Sequence, residues 1–333
     1  MAPQRPAQRP RVAVVGPLNV DLFMRGEAPL DRVALTEWVG PSDVDLRVAG
    51  SVGYTVQVLH RLGADVAVCS SVGDDAFGSY VRAELEGKGL DCRDLMTAPG
   101  GTAIAIYVLL FGGLKRPMTY RLPGFQPWPD PPPVLEGDRP LPALVHSGGL
   151  LHFPEMHRRG LAGVFAEARR RGVMTSLDPQ FPLVPTPPPW LPSIADVLAE
   201  SDILLCDEGE IGAIFDLPLR EAVVAAHRAG PRLVAVKRGA SGSIVSDVRS
   251  VVVQPAVTLP AEAIREAVGA GDAYDAGFLL SVLGGDEPGA AARRATAAAA
   301  LSLGGRGGSE GIAGPEAVEA ALARVPPSAE EPA

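Results

Sequence analysis

The chain has 333 residues, 47% hydrophobic and 21% charged, a balance that supports a folded core and excludes the low-hydrophobicity, high-charge class of disordered chains. Its 30 Lys and Arg against 39 Asp and Glu give a net charge of −9 with no basic run, so it carries no electrostatic footprint for nucleic acid or an anionic membrane surface. Three scattered cysteines, Cys69, Cys92 and Cys206, fit neither a disulfide framework nor a zinc spacing and read as reduced core residues of a cytoplasmic protein.

Residues 1–10 are polar and rich in Pro and Arg, with no apolar leader segment, and are expected to be a disordered tail. No apolar run reaches the roughly 18 residues of a membrane span. Arg11 to Gly16 is a short β-branched run ending at glycine, the pattern of a buried first strand in a parallel sheet. A helix is expected over Val56–Leu62, a strand over Asp65–Ser71 and a helix over Phe77–Gly87. Further strands are expected at Ala143–His146, Val173–Leu177, Asp202–Leu205 and Leu233–Lys237. Strands alternating with helices imply βαβ units and one mostly parallel α/β sheet.

Two stretches break the alternation. They are Val20–Val48 and Gly101–Arg121, and in the second Thr102–Phe111 and Met118–Arg121 read as strands without an intervening helix. They are expected to form a small β-sheet outside the main body, from about 17–48 and 101–121, able either to close over a ligand as a lid or to stand as plain edge hairpins. Gln126–Pro133 and Pro182–Pro192 are proline-rich surface loops. The Ala-rich Gly289–Gly304 is a closely packed helix, and 326–333 is expected to be a disordered C-terminal tail. One domain over 11–325 results.

The segment Glu266-Ala267-Val268-Gly269-Ala270-Gly271-Asp272-Ala273-Tyr274-Asp275-Ala276-Gly277-Phe278 carries the chemistry. Gly269, Ala270 and Gly271 let successive N–H groups converge on one point at the start of a helix, an anion hole suited to phosphate. Asp272 follows directly, placed to accept the proton of an attacking hydroxyl in phosphoryl transfer. Taken alone the motif is equally a tight turn with an acidic helix start. A dinucleotide fingerprint is disfavoured because Tyr274 stands where the third glycine would be.

Val268–Phe278 resembles the C-terminal signature of the ribokinase-like (PfkB) carbohydrate kinases. Ala49-Gly50-Ser51-Val52-Gly53, then Leu59-His60-Arg61-Leu62-Gly63-Ala64 and Ser71-Val72-Gly73-Asp74-Asp75-Ala76-Phe77-Gly78, resembles the N-terminal one. Gly16 with Asn19 and Asp21, Gly101-Thr102-Ala103, His146-Ser147-Gly148, Asp178-Pro179-Gln180, Asp207-Glu208-Gly209-Glu210 and Lys237-Arg238-Gly239-Ala240-Ser241-Gly242 fall in the family's order. The resemblance spans about Arg11 to Val325. It implies a three-layer α/β/α fold with a small β-sheet lid, and a kinase that uses ATP and Mg²⁺ on a small-molecule sugar or nucleoside.

Carried over by residue, the resemblance implies that Asp272 is the base beside the Gly269, Ala270, Gly271 anion hole. Asn19, Asp21, Gly50 and Ser51 would meet substrate hydroxyls, for which amide and carboxylate groups are suited. Asp207 and Glu210 would organise magnesium, and Lys237, Gly239 and Gly242 would border the nucleotide. Five positions depart from the family pattern. Tyr54 replaces a substrate-contacting asparagine and would stack on a ligand or fill the pocket; Glu266 and Ala267 replace Asp-Thr; Asp207 replaces an asparagine; and Thr296 stands where an asparagine often borders adenine. The readings left open are a sugar kinase, a nucleoside kinase, and a catalytically weak binding protein of the same fold. Pairing through the small sheet into a homodimer is also open.

Overall fold

The computed structural model describes residues 9–110, 118–121 and 130–332. In chain order the first half runs β1 (Arg11–Val15), β2 (Asn19–Gly26), α1 (Arg32–Thr36), β3 (Ser42–Ala49), α2 (Gly50–Arg61), β4 (Asp65–Gly73), α3 (Ala76–Gly87), β5 (Asp91–Ala98), β6 (Ala103–Leu109), β7 (Met118–Arg121) and β8 (Leu144–Gly148). The second half runs α4 (Pro154–Arg170), β9 (Met174–Asp178), α5 (Ala195–Ala199), β10 (Ile203–Asp207), α6 (Glu208–Phe215), α7 (Leu219–Ala229), β11 (Leu233–Lys237), β12 (Ser243–Ser246), β13 (Ser250–Gln254), α8 (Ala270–Leu283), α9 (Pro288–Ser302), α10 (Pro315–Ala321) and β14 (Ala329–Pro332).

Ten strands form one sheet in the order β14-β13-β12-β11-β10-β9-β8-β1-β4-β5, parallel from β11 to β5 and antiparallel beyond. The apolar run of β1 shows why it sits in the middle. Val12 and Val14 enter the core on one face, with Leu59, Leu85 and Phe278, while Ala13 and Val15 enter the core on the other, with Phe165, Leu198 and Ile211. A strand apolar on both faces needs helices on both faces, and the three-layer α/β/α body follows. Full burial of one such side chain contributes roughly 1.5–3 kcal/mol.

The second sheet, β3-β2-β6-β7, stands apart from the body, with β2 antiparallel to β3 and parallel to β6. It is the small sheet expected from 17–48 and 101–121, although 111–117 lie outside the described residues. Residues 1–8 of the expected N-terminal tail also lie outside them. At the other end the structure differs from expectation. Ala329–Pro332 pairs antiparallel with β13 and extends the large sheet. The unpaired edge of β13 offers ladder hydrogen bonds to any extended segment, and the strand's own alanine, two glutamates and proline give no hydrophobic pattern by which it could be foreseen.

β1 and β8 are neighbours, yet the chain leaves β1 toward β4 on one side and returns through β8 on the other. Such a reversal opens a crevice beyond the carboxyl ends of the two strands, where open α/β sheets bind ligands. Gly16 and Gly148 close its floor. Gly16 has φ +146°, and a Cβ there would collide with the Gly148 carbonyl oxygen, so only glycine serves.

Candidate active site

Two cavities open along the carboxyl edge of the large sheet. The larger, about 740 Å³, lies between β11, the N-terminus of α8 and the Ala-rich α9, and its walls include Lys237, Gly239, Gly242, Gly271, Thr296 and Leu303. The smaller, about 190 Å³, lies between the crevice at β1 and the small sheet, and its walls include Asn19, Asp21, Gly50, Ser51, Tyr107 and His152. Asp272, Gln180 and Phe181 line both cavities.

The loop before α8 makes this junction. Gly269, at φ +83°, is the N-cap of the helix, and its backbone packs against Gly308 so closely that a Cβ would lie 2.8 Å from the Gly308 Cα. The first-turn N–H groups of α8 have no acceptor within the helix and point out of its N-terminus. Asp272 sits in that turn, and its Oδ1 accepts a hydrogen bond from Thr55 Oγ1 at 3.2 Å. Burial raises its carboxyl to about 7, against the pull of the nearby Lys237 ammonium.

Lys237, at the carboxyl end of β11, donates from Nζ to Asp178 Oδ2 at 2.9 Å and to Asp275 Oδ2 at 2.8 Å. Burial alone would lower the lysine, but the two carboxylates outweigh it and hold the ammonium charged. The same burial pushes the Asp275 carboxyl up. The lysine therefore stands beside the helix N-terminus with its charge fixed, and a Cβ on Gly271 would be 3.8 Å from Nζ.

Asp207 and Glu210 line the larger cavity and also cap α6. Asp207 Oδ1 accepts the Glu210 N–H at 2.7 Å, and Glu210 Oε2 accepts the Asp207 N–H at 2.7 Å. This reciprocal capping box takes one oxygen of each side chain and leaves the other outside the cap. Burial, reinforced by Asp178, lifts Glu210 to about 8. Asp207 and Glu210 offer carboxylate oxygens, the hard donor type a magnesium ion takes when substrate phosphate and water complete its shell. Among the described residues no group of three or more His, Cys, Asp or Glu is close enough to enclose a metal unaided.

In the smaller cavity Asn19 Nδ2 donates to Asp21 Oδ1 at 2.7 Å, and the Tyr54 hydroxyl donates to Asp21 Oδ2. Tyr54 lines this cavity. Its ring is buried against Gly269 and its hydroxyl is spent on Asp21. Burial raises Asp21 to about 6, although both hydrogen bonds oppose the shift. His152 Nε2 and Ser51 Oγ are buried here without hydrogen-bond partners.

The structure gathers all the sequence-predicted positions at these two cavities: Asn19, Asp21, Gly50, Ser51 and Tyr54 at the smaller, Lys237, Gly239, Gly242, Thr296, Asp207 and Glu210 at the larger, and Gly269, Ala270, Gly271 and Asp272 at their junction. Sequence reasoning gave no role to Thr55, Asp178, Gln180, Phe181, Asp275, Tyr107 or His152. Asp178 and Gln180 were within reach as part of an ordered landmark, and Asp275 lies one helical turn after Asp272. His152 and Tyr107 had no signal.

A three-layer α/β body with a small accessory sheet and paired cavities meeting at a helix N-terminus is suited to holding two small molecules side by side, one of them anionic. The family model of the pfkB family carbohydrate kinases matches residues 10–122 and 139–313, and the chain belongs to that family. It is 28% identical to a 2-dehydro-3-deoxygluconokinase of Thermoproteus tenax, over 83% of this chain and 85% of that one. It is 26% identical to an ATP-dependent ribose-1-phosphate kinase of Halopiger xanaduensis, over 89% of this chain and 93% of the other. The fold matches the ribokinase of Arabidopsis thaliana complexed with ribose and ATP, with TM-score 0.74 and 21% identity over 94% and 99% of the two chains. No helix among the described residues is long and apolar enough to cross a membrane.

Proposed function

We propose that this carbohydrate kinase transfers the γ-phosphoryl group of ATP to a hydroxyl of a sugar held in the smaller cavity, with Asp272 as the base. The observation that carries the reading is that one carboxylate, at the N-terminus of α8, lines both cavities. ATP takes the larger cavity, its phosphates directed at the first turn of α8 and Lys237. Asn19, Asp21, Gly50 and Ser51 orient the sugar. Asp272 accepts the hydroxyl proton as the oxygen attacks, and the N–H groups following Gly269 stabilise charge on the transferring group. Asp207 and Glu210 would hold Mg²⁺, which supplies charge neutralisation at the phosphates.

The smaller cavity lies below the roughly 300–1,000 Å³ of drug-sized pockets, which favours a compact sugar over a nucleoside. The relatives named above act on different sugars, so the acceptor is chosen by a panel. Purified protein with Mg-ATP is assayed for ADP release on ribose, fructose, ribose 1-phosphate, 2-dehydro-3-deoxygluconate and adenosine, beside Asp272→Ala. Turnover on one sugar that the variant loses supports the reading. Adenosine turnover alone points to a nucleoside kinase, and nucleotide binding with no turnover points to a binding protein. Three buried free thiols suit a reducing cytoplasm. Exposed Leu30, Val33 and Val39 on the small-sheet side suit a homodimer, testable by sedimentation.

A further inference from the structure

Glu266 is the residue around which the small sheet and the phosphate-binding loop meet. It lies three residues before Gly269, and its side chain is only 9% exposed. Oε1 accepts from Arg47 Nη1 at 2.6 Å and from the Gly307 N–H at 3.2 Å, and Oε2 accepts from Arg25 Nη2 at 2.8 Å. Arg25 and Arg47 come from the adjacent strands β2 and β3 of the small sheet. Gly307 leads into Gly308, which packs on Gly269. One carboxylate therefore ties two strands of the small sheet to both walls of the loop that opens α8.

The connection continues to the acceptor side. Both guanidiniums lie over the buried ring of Phe23, at 4.8 and 4.6 Å from its centroid. That ring stacks at 4.6 Å on Tyr107, a wall residue of the smaller cavity. Asp45 completes the group, accepting from Arg47 Nε at 2.8 Å and standing 3.5 Å from Arg25 Nη1. Arg25 Nη1 is buried without a hydrogen bond.

We propose that Glu266 is a positioning residue that couples the small sheet to the anion hole, so that nucleotide bound at α8 and sugar bound under the sheet each favour the same closed geometry. The proposal rests on the kinase reading of the two cavities. Coupling of this kind requires an element that both sites bias. Here it is the sheet, whose charges share one carboxylate with the loop. β2 and β3 take no part in lining the larger cavity, so any response of theirs to nucleotide has to travel through such contacts.

The test is amide hydrogen exchange in β2 and β3 with and without Mg and a non-hydrolysable ATP analogue, on the full chain and on Glu266→Gln, Glu266→Asp and Arg25→Met. In the native protein the analogue slows exchange in both strands at least threefold. Glu266→Gln loses that response while still binding the analogue, and its KM for the sugar rises at least fivefold with KM for ATP changed less than twofold. Glu266→Asp recovers part of both effects. Should Glu266→Gln fail to fold, Arg25→Met removes the more exposed guanidinium and reads the same loss. The proposal is overturned if the analogue leaves β2 and β3 unchanged in the native protein, or if their response persists in the variants, as it would for an ion pair that only stabilises the fold. Absence of turnover in the native protein would instead overturn the kinase reading, which the exchange measurement does not use.

Discussion

Asp272 has a pH signature. With its carboxyl raised to about 7 by burial, a base at this position is half-protonated near neutrality, and kcat should climb through pH 6–8 and level off above, measured under saturating Mg-ATP and sugar. Asp272→Asn should lower kcat by at least about a hundredfold, the usual contribution of a positioned base, while nucleotide affinity measured by titration calorimetry changes little. Stability should move the other way. A carboxyl whose folded value lies above its unfolded 3.8 costs nothing when protonated in both states, below about pH 4, and its full cost is reached above about 7. Asp272→Asn is therefore expected to raise Tm by a few degrees at pH 8 and to leave it unchanged at pH 4, by scanning calorimetry. The residues in contact with Asp272 show the limit of reading a sequence. The motif Gly269–Asp272 stands out by composition, but Thr55 is a lone threonine in a largely apolar helix, and its tie to Asp272 spans 217 positions. Tyr54 departs from the family pattern, yet its hydroxyl's bond to Asp21 depends on two elements meeting side by side, which side-chain type does not encode.

Among the elements, α6 gives the sharpest stability prediction. Asp207 satisfies the Glu210 N–H, and Asp207→Ala should cost about 1 kcal/mol in chemical denaturation, in addition to any loss of magnesium dependence in the assay. Had Asp207 served only as a cap, Asp207→Ser would restore both stability and activity; restored stability with depressed activity separates the two roles. The strands of the large sheet were readable because parallel strands buried on both faces are continuous apolar runs, as in Arg11–Val15 and Leu233–Lys237, and each was placed to within a few residues. α2 begins at Gly50, six residues before the expected start, because Gly50-Ser51-Val52-Gly53 carries two glycines that propensity counts against a helix while tertiary packing imposes one. β14 escaped notice for the complementary reason: its pairing comes from the open edge of β13, not from anything in its own composition.

For the whole molecule, alternation of strand and helix gave the α/β class, and the ordered motifs gave the rest, including the small sheet. The order of strands across the sheet was not in the local pattern, since nothing in the sequence around Val12 says that its neighbours are Val66 and Leu144. That order is what brings Asn19, Ser51 and Asp272 to one crevice. The central placing of β1 also bears on how the protein is made. Its second neighbour, β8, leaves the ribosome on the order of ten seconds after it, at roughly 5–20 residues per second. Until then one side of a strand with almost no polar side chains stays unpaired, and the nascent chain passes through an interval in which chaperone capture of its first strand competes with aggregation.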